Sequence, residues 1–327
     1  MAIAVYSGSA GEQYEARESG VEGVACVDDA ARACVLMYRL WVATRNETLG
    51  RWAAGLLDFV LWMHAGDGLW HNFIYDWRGT RNTEGPTSKP GINFWQARAT
   101  QALAEVGPLL TENHGRRVLG EALDAAASGS PPSDVRALHA LAALAEMERA
   151  PSPRLAGRLA TWCDELAACV RDERLMNSPD ERGRPHLWAH VQEAALADAS
   201  VALNRSDLRS LAVSSANAVF VDVIESGFAG EHVHSYDVQS AIFVMDRLAA
   251  VTGESRYKDL ACQSRTWFDG GNPAARKVYD RVAGRVADGL DEGRLSDRSG
   301  AEANITAGLA LLGDPGVLSI ARAWHAA

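Results

Sequence analysis

The sequence has no long apolar run, no excess of basic charge and few cysteines, and each of these features excludes a class of protein. No segment is long and apolar enough to predict a membrane-spanning helix. The net charge of −10 over 327 residues argues against nucleic acid as the main partner. The first 20 residues lack an apolar core behind a basic segment, so no secretory signal is expected there.

The cysteines are odd in number and none is spaced as C-x-x-C, which predicts reduced, buried thiols in a cytoplasmic protein. For the same reason no zinc site is expected. The glycine-rich segment near the C-terminus lacks the lysine of a phosphate-binding loop, so the sequence predicts no nucleotide cofactor. The five cysteines are Cys26, Cys34, Cys163, Cys169 and Cys262.

No alternation of apolar and polar residues is long enough to predict a strand, whereas apolar residues recur at spacings of three and four. The pattern predicts an all-α chain of about twelve helices. We expect one domain over 1–327, with 1–20 as an irregular N-terminal segment. The predicted helices span 28–45, 48–65, 92–110, 112–127, 133–149, 154–171, 187–203, 207–225, 235–252, 255–268, 300–312 and 314–325.

The joints between these helices alternate between short and long. Short joints such as 45–47 and 252–254 hold only turn residues, whereas long joints hold most of the polar and aromatic clusters. Antiparallel helices send alternate joints to opposite ends of a bundle. We therefore expect the long joints to emerge on one face, and His71, His190 and Glu302 to lie on it.

Small residues are concentrated in the odd-numbered predicted helices. Alanine-rich stretches such as 30–33, 137–145 and 194–202 allow close packing around a centre, while the even-numbered helices carry more bulk and charge. An open array of helix pairs and the helix propensity of alanine are the alternatives. The pattern favours a closed (α/α)6 toroid with an inner and an outer ring.

The first long joint ends in Asp28 and Asp29, followed by Arg32. Two acidic residues at a helix start are explained in part by capping and by the helix dipole. A pair of carboxylates also provides a general acid, a general base or an acceptor for sugar hydroxyls. At the start of the third helix pair, Ser133 and Asp134 indicate a helix cap and nothing more.

The second long joint, 67–96, has the densest mixture of aromatic and hydrogen-bonding groups in the chain. Aromatic faces stack on sugar rings, and Asn, Asp, His and Arg bind hydroxyl groups. The alternative is a long loop fixed by its aromatic residues; the clustering favours a ligand site. The residues concerned include Trp70, His71, Asn72, Asp76 and Trp77.

Two later joints carry histidines. The spacing of His186, His190 and Glu193 predicts one helix face, but the glutamate that usually lies between two zinc-binding histidines is absent. His232 and His234 also form a His-x-His pair, for which a metal is not expected. His234 and Tyr236 are candidates for proton transfer, and Trp188 for sugar binding.

The motifs, taken in order, resemble one group of bacterial helical domains. Gly-x-x-Cys-x-Asp-Asp-x-Ala-Arg covers Gly23 to Arg32, and Asn-Phe-x-x-Asp covers Asn72 to Asp76. Asp-Gly-Leu at 288–290 and Gly-Ala-Glu at 300–302 complete the set. The chain resembles domains that are often fused to or encoded beside glycosyltransferases, and that are similar to the six-hairpin (α/α)6-toroid glycosidases. The resemblance implies a central pocket at the N-terminal rim of the inner helices.

We therefore expect a protein acting on oligo- or polysaccharide, and most simply an inverting glycoside hydrolase, with a glycosyltransferase as a further possible partner. Its acid and base would be two carboxyl groups. The candidates are Asp29 and Glu302 first, then Asp28, Asp76 and Asp288. The candidate sugar-binding residues are Arg32, Trp70, His71, Asn72, Trp77, Trp188, His190, His232, His234 and Tyr236.

Two other functions stay open. The first is a polysaccharide lyase on the same fold, in which Tyr236 and a histidine remove a proton. The second is a glycan-binding domain without catalysis that works beside a glycosyltransferase. No metal and no cofactor are expected, since no cluster in the sequence has a complete set of metal ligands with a known spacing.

Overall fold

The computed structural model of the chain describes residues 1–6, 21–109 and 113–324. Most of the predicted irregular segment 1–20, the 110–112 joint and the last three residues lie outside these ranges. The chain divides into two compact units, one of Met1–Ser130 with Gly300–Ala327 and one of Pro131–Ser299. Each is described by itself, and a single domain stays a prediction.

Helices dominate both units. The described residues form twelve α-helices, one for each helix that the sequence predicts. They are α1 (Val27–Thr44), α2 (Glu47–Trp62), α3 (Phe94–Glu105), α4 (Asn113–Ser128), α5 (Ser133–Arg149), α6 (Pro153–Ala168), α7 (Gln192–Ala202), α8 (Ser206–Glu225), α9 (Ser235–Thr252), α10 (Ser255–Thr266), α11 (Ala301–Ala310) and α12 (Pro315–Ala323).

Short polar side chains fix where several of these helices begin. Asn93 Oδ1 accepts a hydrogen bond from the Gln96 amide at 3.1 Å, and Asn46 Oδ1 accepts one from Thr48 at 3.0 Å. Each bond satisfies a backbone N–H that has no partner inside its helix. The sequence therefore places these starts to within a few residues.

In the unit of Met1–Ser130 with Gly300–Ala327, α1 is the central helix. It packs against α2, its partner in the first helix pair, and against α3, α11 and α12. Ala30, Ala31 and Ala33 are fully buried in these contacts. Small side chains on α1 thus let several helices approach it closely, as the sequence predicts for an inner helix.

In the unit Pro131–Ser299, α7 packs against both α5 and α9, while α6, α8 and α10 each pack on the helix that precedes them. Ala137 on α5 and Ala194 and Ala195 on α7 are fully buried. In this unit too, buried alanines on odd-numbered helices allow close packing between helices.

Strands of two or three residues connect the helices, and the sequence missed them because such short segments cannot show an alternating pattern. In the first unit, β1 (Ala25–Cys26) pairs with β4 (Phe73–Ile74), and β2 (His64–Gly66) pairs with β3 (Leu69–Trp70). In the second unit β5 pairs with β6, β8 with β9, and β7, β10 and β11 form one sheet. These strands are β5 (Val170–Arg171), β6 (Arg174–Leu175), β7 (His232–His234), β8 (Tyr279–Asp280), β9 (Arg285–Val286), β10 (Gly289–Asp291) and β11 (Arg294–Leu295).

Four predicted helix boundaries are wrong by three residues or more, and the strands explain two of them. The helix predicted over 92–110 ends at Glu105 and is followed by a short 3-10 helix at Gly107–Leu109. The second helix ends at Trp62 and the sixth at Ala168, because the chain then turns into the hairpins β2–β3 and β5–β6. The helix predicted from 187 begins at Gln192, and Ala189 before it has a positive φ of 53°. His186 and His190 therefore lie outside α7 and do not share a helix face with Glu193.

Among the described residues, no single helix has the length and apolarity needed to cross a membrane. The pair α11 and α12, which meet at a bend of 114°, would meet those criteria together by length and composition only.

Candidate active site

The start of α1 is held by the chain segment that follows β3. Asn72 O accepts a hydrogen bond from the Val27 amide at 2.8 Å, and Asn72 Oδ1 accepts one from the Asp28 amide at 3.1 Å. Ser88 Oγ in turn accepts from the Asn72 and Phe73 amides at 3.1 and 2.8 Å. Asn72, predicted to bind sugar, is thus a buried support of the helix that carries Asp28 and Asp29.

Arg32 connects three carboxyl groups from two helices. Its Nη2 lies 2.7 Å from Asp29 Oδ1 and 3.1 Å from Asp28 Oδ2, while its Nη1 lies 2.7 Å from Glu302 Oε1. Asp28 and Asp29 are in the first turn of α1, and Glu302 is in the first turn of α11. The structure therefore brings together the two carboxyl groups that the sequence ranked first, with Asp28 beside them.

A second arginine, which the sequence analysis missed, approaches the same cluster. Arg98 Nε on α3 lies 2.6 Å from Asp28 Oδ1, so both carboxylate oxygens of Asp28 face a guanidinium group. The available signal was a basic residue four positions after the first residue of the helix Phe94–Glu105, whose other charged residue is Glu105 at its end. Packing of α3 against α1 is what gives Arg98 its place.

Charge crowding in this cluster raises the pKa of both Asp29 and Arg32. Burial raises the pKa of Asp29 to about 6, and nearby Asp28 and Glu302 act in the same direction against the lowering effect of Arg32. Burial opposes the charge of Arg32, yet its three carboxylate neighbours raise its pKa above the ordinary value. Both pKa values rise because one guanidinium is shared among three carboxyl groups, and the negative charge in excess favours the protonated form of each group.

The groups in the cluster differ in their access to solvent. The Asp29 side chain is 4% exposed and that of Glu302 is 32% exposed.

Two further titratable groups lie beside these carboxyl groups. Burial lowers the pKa of Arg98 and Asp28 opposes this effect, but a guanidinium group remains charged at physiological pH. Burial next to Asp29 and Asp28 also raises the pKa of the Cys26 thiol, whose Sγ accepts from the Asp29 amide at 3.4 Å.

The other candidates of the first unit have different surroundings. Trp70 is fully buried and its Nε1 donates to Val60 O at 2.7 Å, so it is a core residue with no ring face available for a sugar, and the structure corrects that prediction. Trp77 is 40% exposed. His71 is partly buried, and burial together with Arg81 lowers its pKa.

Asp76 lies in a turn. Its Oδ1 accepts from the Arg78 and Thr80 amides at 3.0 and 3.1 Å, and hydrogen bonds from Thr80 lower its pKa. A carboxyl group in this setting stabilises the loop and is poorly suited to donate a proton near neutral pH.

In the second unit, His190 is the centre of a buried polar network. Its Nδ1 lies 2.6 Å from Asn177 Oδ1, which also accepts from Gln192 Nε2 at 2.9 Å. Its Nε2 lies 3.1 Å from Glu193 Oε1, which accepts from Ser215 Oγ at 2.5 Å. His190 and Glu193 are fully buried, so the predicted sugar ligand His190 is part of the core of this unit.

The predicted helix cap at Ser133 or Asp134 is wrong, because the helix begins at Ser133 and its N-cap residue is Pro132, without a side-chain cap hydrogen bond. Asp134 instead contacts residues next to this network. Its amide donates to Asn177 O at 3.3 Å, and its Oδ2 lies 3.8 Å from His186 Nε2. Burial raises the pKa of Asp134. His186 Nδ1 contacts the carbonyl oxygen of Trp188 at 3.1 Å, and the Trp188 ring is partly exposed.

The pairing of β7 with β10 joins the remaining candidates of the second unit. Gly289 lies opposite His234, and an added Cβ at Gly289 would lie 2.2 Å from Val233 O, so only glycine fits there. Asp288, next to Gly289, accepts from the Ser235 amide at 3.2 Å through its backbone oxygen. Asp288 is therefore placed beside the start of α9.

His234 and Tyr236 stack with ring centroids 4.7 Å apart and an interplanar angle of 10°. A hydrogen bond with Asp237 raises the pKa of His234 against the effect of partial burial, with Asp291 and Asp288 adding to the rise. His232 is exposed and its Nδ1 lies 3.0 Å from Asp291 Oδ1. His234 is thus inclined towards its protonated form, and His232 lies at the surface.

The described residues contain no group of three or more His, Cys, Asp or Glu side chains arranged to hold a metal ion.

No protein-family model and no curated protein sequence matches the chain.

Solved structures with low sequence identity do match. A sugar epimerase from a ruminal bacterium is 10% identical with a TM-score of 0.69, over 89% of this chain and 88% of that chain. The cellobiose 2-epimerase of Spirochaeta thermophila is 13% identical with a TM-score of 0.66, over 90% and 86%. The cellulase Cel9M of C. cellulolyticum in complex with cellobiose is 10% identical with a TM-score of 0.59, over 90% and 85%.

The likeness covers almost the whole chain and confirms the predicted fold class, the all-α (α/α)6 toroid. At these identities it establishes the fold alone, and function has to be argued from the residues.

Proposed function

We propose that the protein is a carbohydrate-active enzyme, and specifically a glycoside hydrolase acting on an oligo- or polysaccharide. The observation that carries the proposal is the set of three carboxyl groups that Arg32 holds at the starts of α1 and α11. Hydrolysis of a glycosidic bond needs one carboxyl group that donates a proton and another that activates water or attacks the sugar.

The shared guanidinium limits how far apart Asp29 and Glu302 can be. Their contacting oxygens each lie 2.7 Å from an Arg32 Nη atom. The two Nη atoms of one guanidinium are about 2.3 Å apart, so those oxygens are separated by less than about 8 Å. This limit is compatible with the separation of about 6.5–9.5 Å for an inverting glycosidase and about 5–5.5 Å for a retaining one.

The environments of the two groups suggest their roles. Asp29 is the proton donor in this proposal, since a pKa of about 6 keeps a useful fraction protonated near neutral pH. Glu302 is the base, since its partial exposure gives it access to water. We favour inversion, the outcome expected for a base that activates water rather than attacks the sugar.

Removal of a proton from a sugar carbon is the second candidate chemistry, as in an epimerase or in a polysaccharide lyase. The stacked pair of His234 and Tyr236 supports it, as does the fold shared with two sugar epimerases. The raised pKa of His234, caused first by its hydrogen bond with Asp237, makes it a weaker candidate for the base. Hydrolysis therefore ranks first.

The remaining parts of the proposal rest on the sequence alone. They are a cytoplasmic location, independence from metals and cofactors, and a glycosyltransferase as partner. A glycan-binding domain without turnover is the alternative to an enzyme.

One experiment separates these functions. Incubation of the protein with a panel of oligosaccharides in D2O, followed by NMR, distinguishes new reducing ends from deuterium at a sugar carbon. New reducing ends without such exchange support a hydrolase, and their first anomeric form reports inversion or retention. Deuterium incorporation without cleavage would show an epimerase, and a product absorbing in the near ultraviolet would show a lyase. Binding without any conversion would contradict the enzyme proposal.

A further inference from the structure

A residue close to the N-terminus connects the two helix starts that carry the candidate carboxyl groups. The Val5 amide donates to Val24 O at 3.0 Å, and Val5 O accepts from the Ala301 amide at 3.2 Å. Val24 leads into β1 and α1, while Ala301 is the first residue of α11. The backbone of Val5 therefore joins the approach to α1 to the start of α11.

The start of α11 depends on an acceptor from another part of the chain. Its N-cap residue is Gly300, which has no side chain to cap the helix, and residues 296–300 lead into it without forming a helix or strand. The first amides of a helix have no partner within it. Val5 O is the acceptor for Ala301, and the place of Ala301 determines where the next residue, Glu302, begins.

Val24, at the other end of this backbone link, is firmly held. It is 1% exposed, and its amide donates to Ile74 O at 2.8 Å, beside the paired strands β1 and β4. The Val5 backbone thus attaches the start of α11 to a fixed part of the same compact unit.

We propose that Val5 is a positioning residue, whose backbone sets the place of Glu302 relative to Asp29 by linking the start of α11 to Val24. The inference rests on the proposed function for its catalytic meaning, because the acid and the base have to face one glycosidic bond. A misplacement of about 1 Å can reduce turnover by about a hundredfold.

Ala301→Pro removes one end of the link and keeps the helix. Proline is favoured as the first residue of a helix, where its missing N–H has no intrahelical partner, and Pro153 and Pro315 begin α6 and α12 in this way. The residue before a proline has to be extended, and Gly300 already is, with φ −77° and ψ 169°. The midpoint of thermal unfolding should therefore stay within about 3 °C of the parental value.

Val5→Pro removes the other end, because it deletes the amide that binds Val24 O. Each variant should lower kcat about tenfold or more, while KM stays within about twofold. The double variant should lose no more than the single variants, since both substitutions break one link. Parental kcat with lower thermal stability is what a merely structural role predicts, and either that result or additive losses would overturn the inference.

Ser255→Pro and Val5→Ala are matched controls. Ser255 is the first residue of α10 in the other compact unit, and the residue before it is extended, so the variant places the same ring at a helix start that Val5 does not contact. Val5→Ala keeps both backbone groups of the link. Both controls should keep the parental kcat, and a loss in either as large as that in Ala301→Pro would count against the assignment.

Hydrogen exchange at the Arg32 guanidinium group, followed by nitrogen-15 NMR, tests the link without a saccharide. Arg32 Nη1 lies 2.7 Å from Glu302 Oε1. In Ala301→Pro and Val5→Pro these N–H groups should exchange about tenfold faster, the factor expected when a hydrogen bond between charged groups is lost. Exchange at the parental rate in both variants would overturn the inference. If the parent converts no saccharide, the hydrolase proposal fails, while this measurement still decides whether Val5 holds Glu302 in place.

Discussion

The two compact units both bury acidic residues near the starts of their odd-numbered helices, but they neutralise them differently. In the first unit, Asp28, Asp29 and Glu302 face two arginines. In the second unit, Glu193 faces His190, with amide and hydroxyl groups around the pair. Arginine is a permanent cation, whereas histidine changes its charge near physiological pH.

The difference separates a cluster suited to catalysis from one suited to structure. The arginine cluster holds an excess of carboxyl groups, one of which has a raised pKa, and Glu302 is partly exposed. The histidine network is fully buried at His190 and Glu193 and joins residues of α7 and α8 to the chain before α7. Perturbed acids beside partly exposed partners are typical of active sites, while closed polar networks fix a unique packing.

The largest effect that we expect is on the stability of the second unit. Glu193→Ala leaves His190 Nε2 and Ser215 Oγ without their buried acceptor. The free energy of unfolding should fall by about 3–5 kcal/mol, as for a buried pair that loses one partner. Chemical denaturation measures it.

Asp291→Ala is the control for that variant, since it removes the partner of exposed His232. Its cost should be below about 1 kcal/mol. If the free energy of unfolding fell equally in the two variants, the buried His190 network would contribute no more to stability than an exposed ion pair.

The second expected effect is on the pH dependence of stability in the first unit. The pKa of Asp29 is about 6 in the folded chain against an ordinary value of 3.8, so the folded state binds more protons between these values. Stability should therefore fall as pH rises from about 4 to 6. Asp29→Asn should remove this loss and gain up to about 3 kcal/mol relative to the parent at pH 7.

Thermal unfolding of both proteins across this pH range checks the sign. Glu105→Gln, which alters a carboxyl group at the Arg39 pair, should follow the parental curve. A parental stability that rises between pH 4 and 6, with no gain from Asp29→Asn, would argue against a raised pKa.

The third expected effect is on turnover. Asp29→Asn and Glu302→Gln should each reduce kcat by about a hundredfold or more, because general acid or base catalysis supplies factors of that size. The substitutions are nearly isosteric, so sugar binding should survive. Steady-state kinetics on the substrate found by NMR gives the measurement, with Glu105→Gln as the control. If both variants kept a kcat near the parental value, Asp29 and Glu302 would have only a structural role at the starts of their helices.

The smallest expected effect concerns Trp77. Its ring is 40% exposed, so Trp77→Ala should change the free energy of unfolding by less than about 0.5 kcal/mol. If the ring stacks on sugar, KM should rise about fivefold, which corresponds to about 1 kcal/mol. An unchanged KM would remove Trp77 from the binding site.

The candidate site could be predicted in part from local sequence. Asp28, Asp29 and Glu302 stand at predicted helix starts, where an acidic residue is visible in the sequence. Arg98 and Asn177 could not be found in this way, since each acquires its role through contacts with residues far along the chain. Trp70 was placed in the site by composition alone, and its burial was decided by packing.

By itself, the sequence determined the number of helices and most of their bounds, because periodicity and capping act within a few residues. It did not determine the short strands, since two residues carry no pattern. Only the tertiary structure decided that Asp28, Asp29 and Glu302 share Arg32, which is 270 positions from Glu302 in the sequence. The charge state of a carboxyl group depends on its neighbours in space, and those neighbours are set by packing.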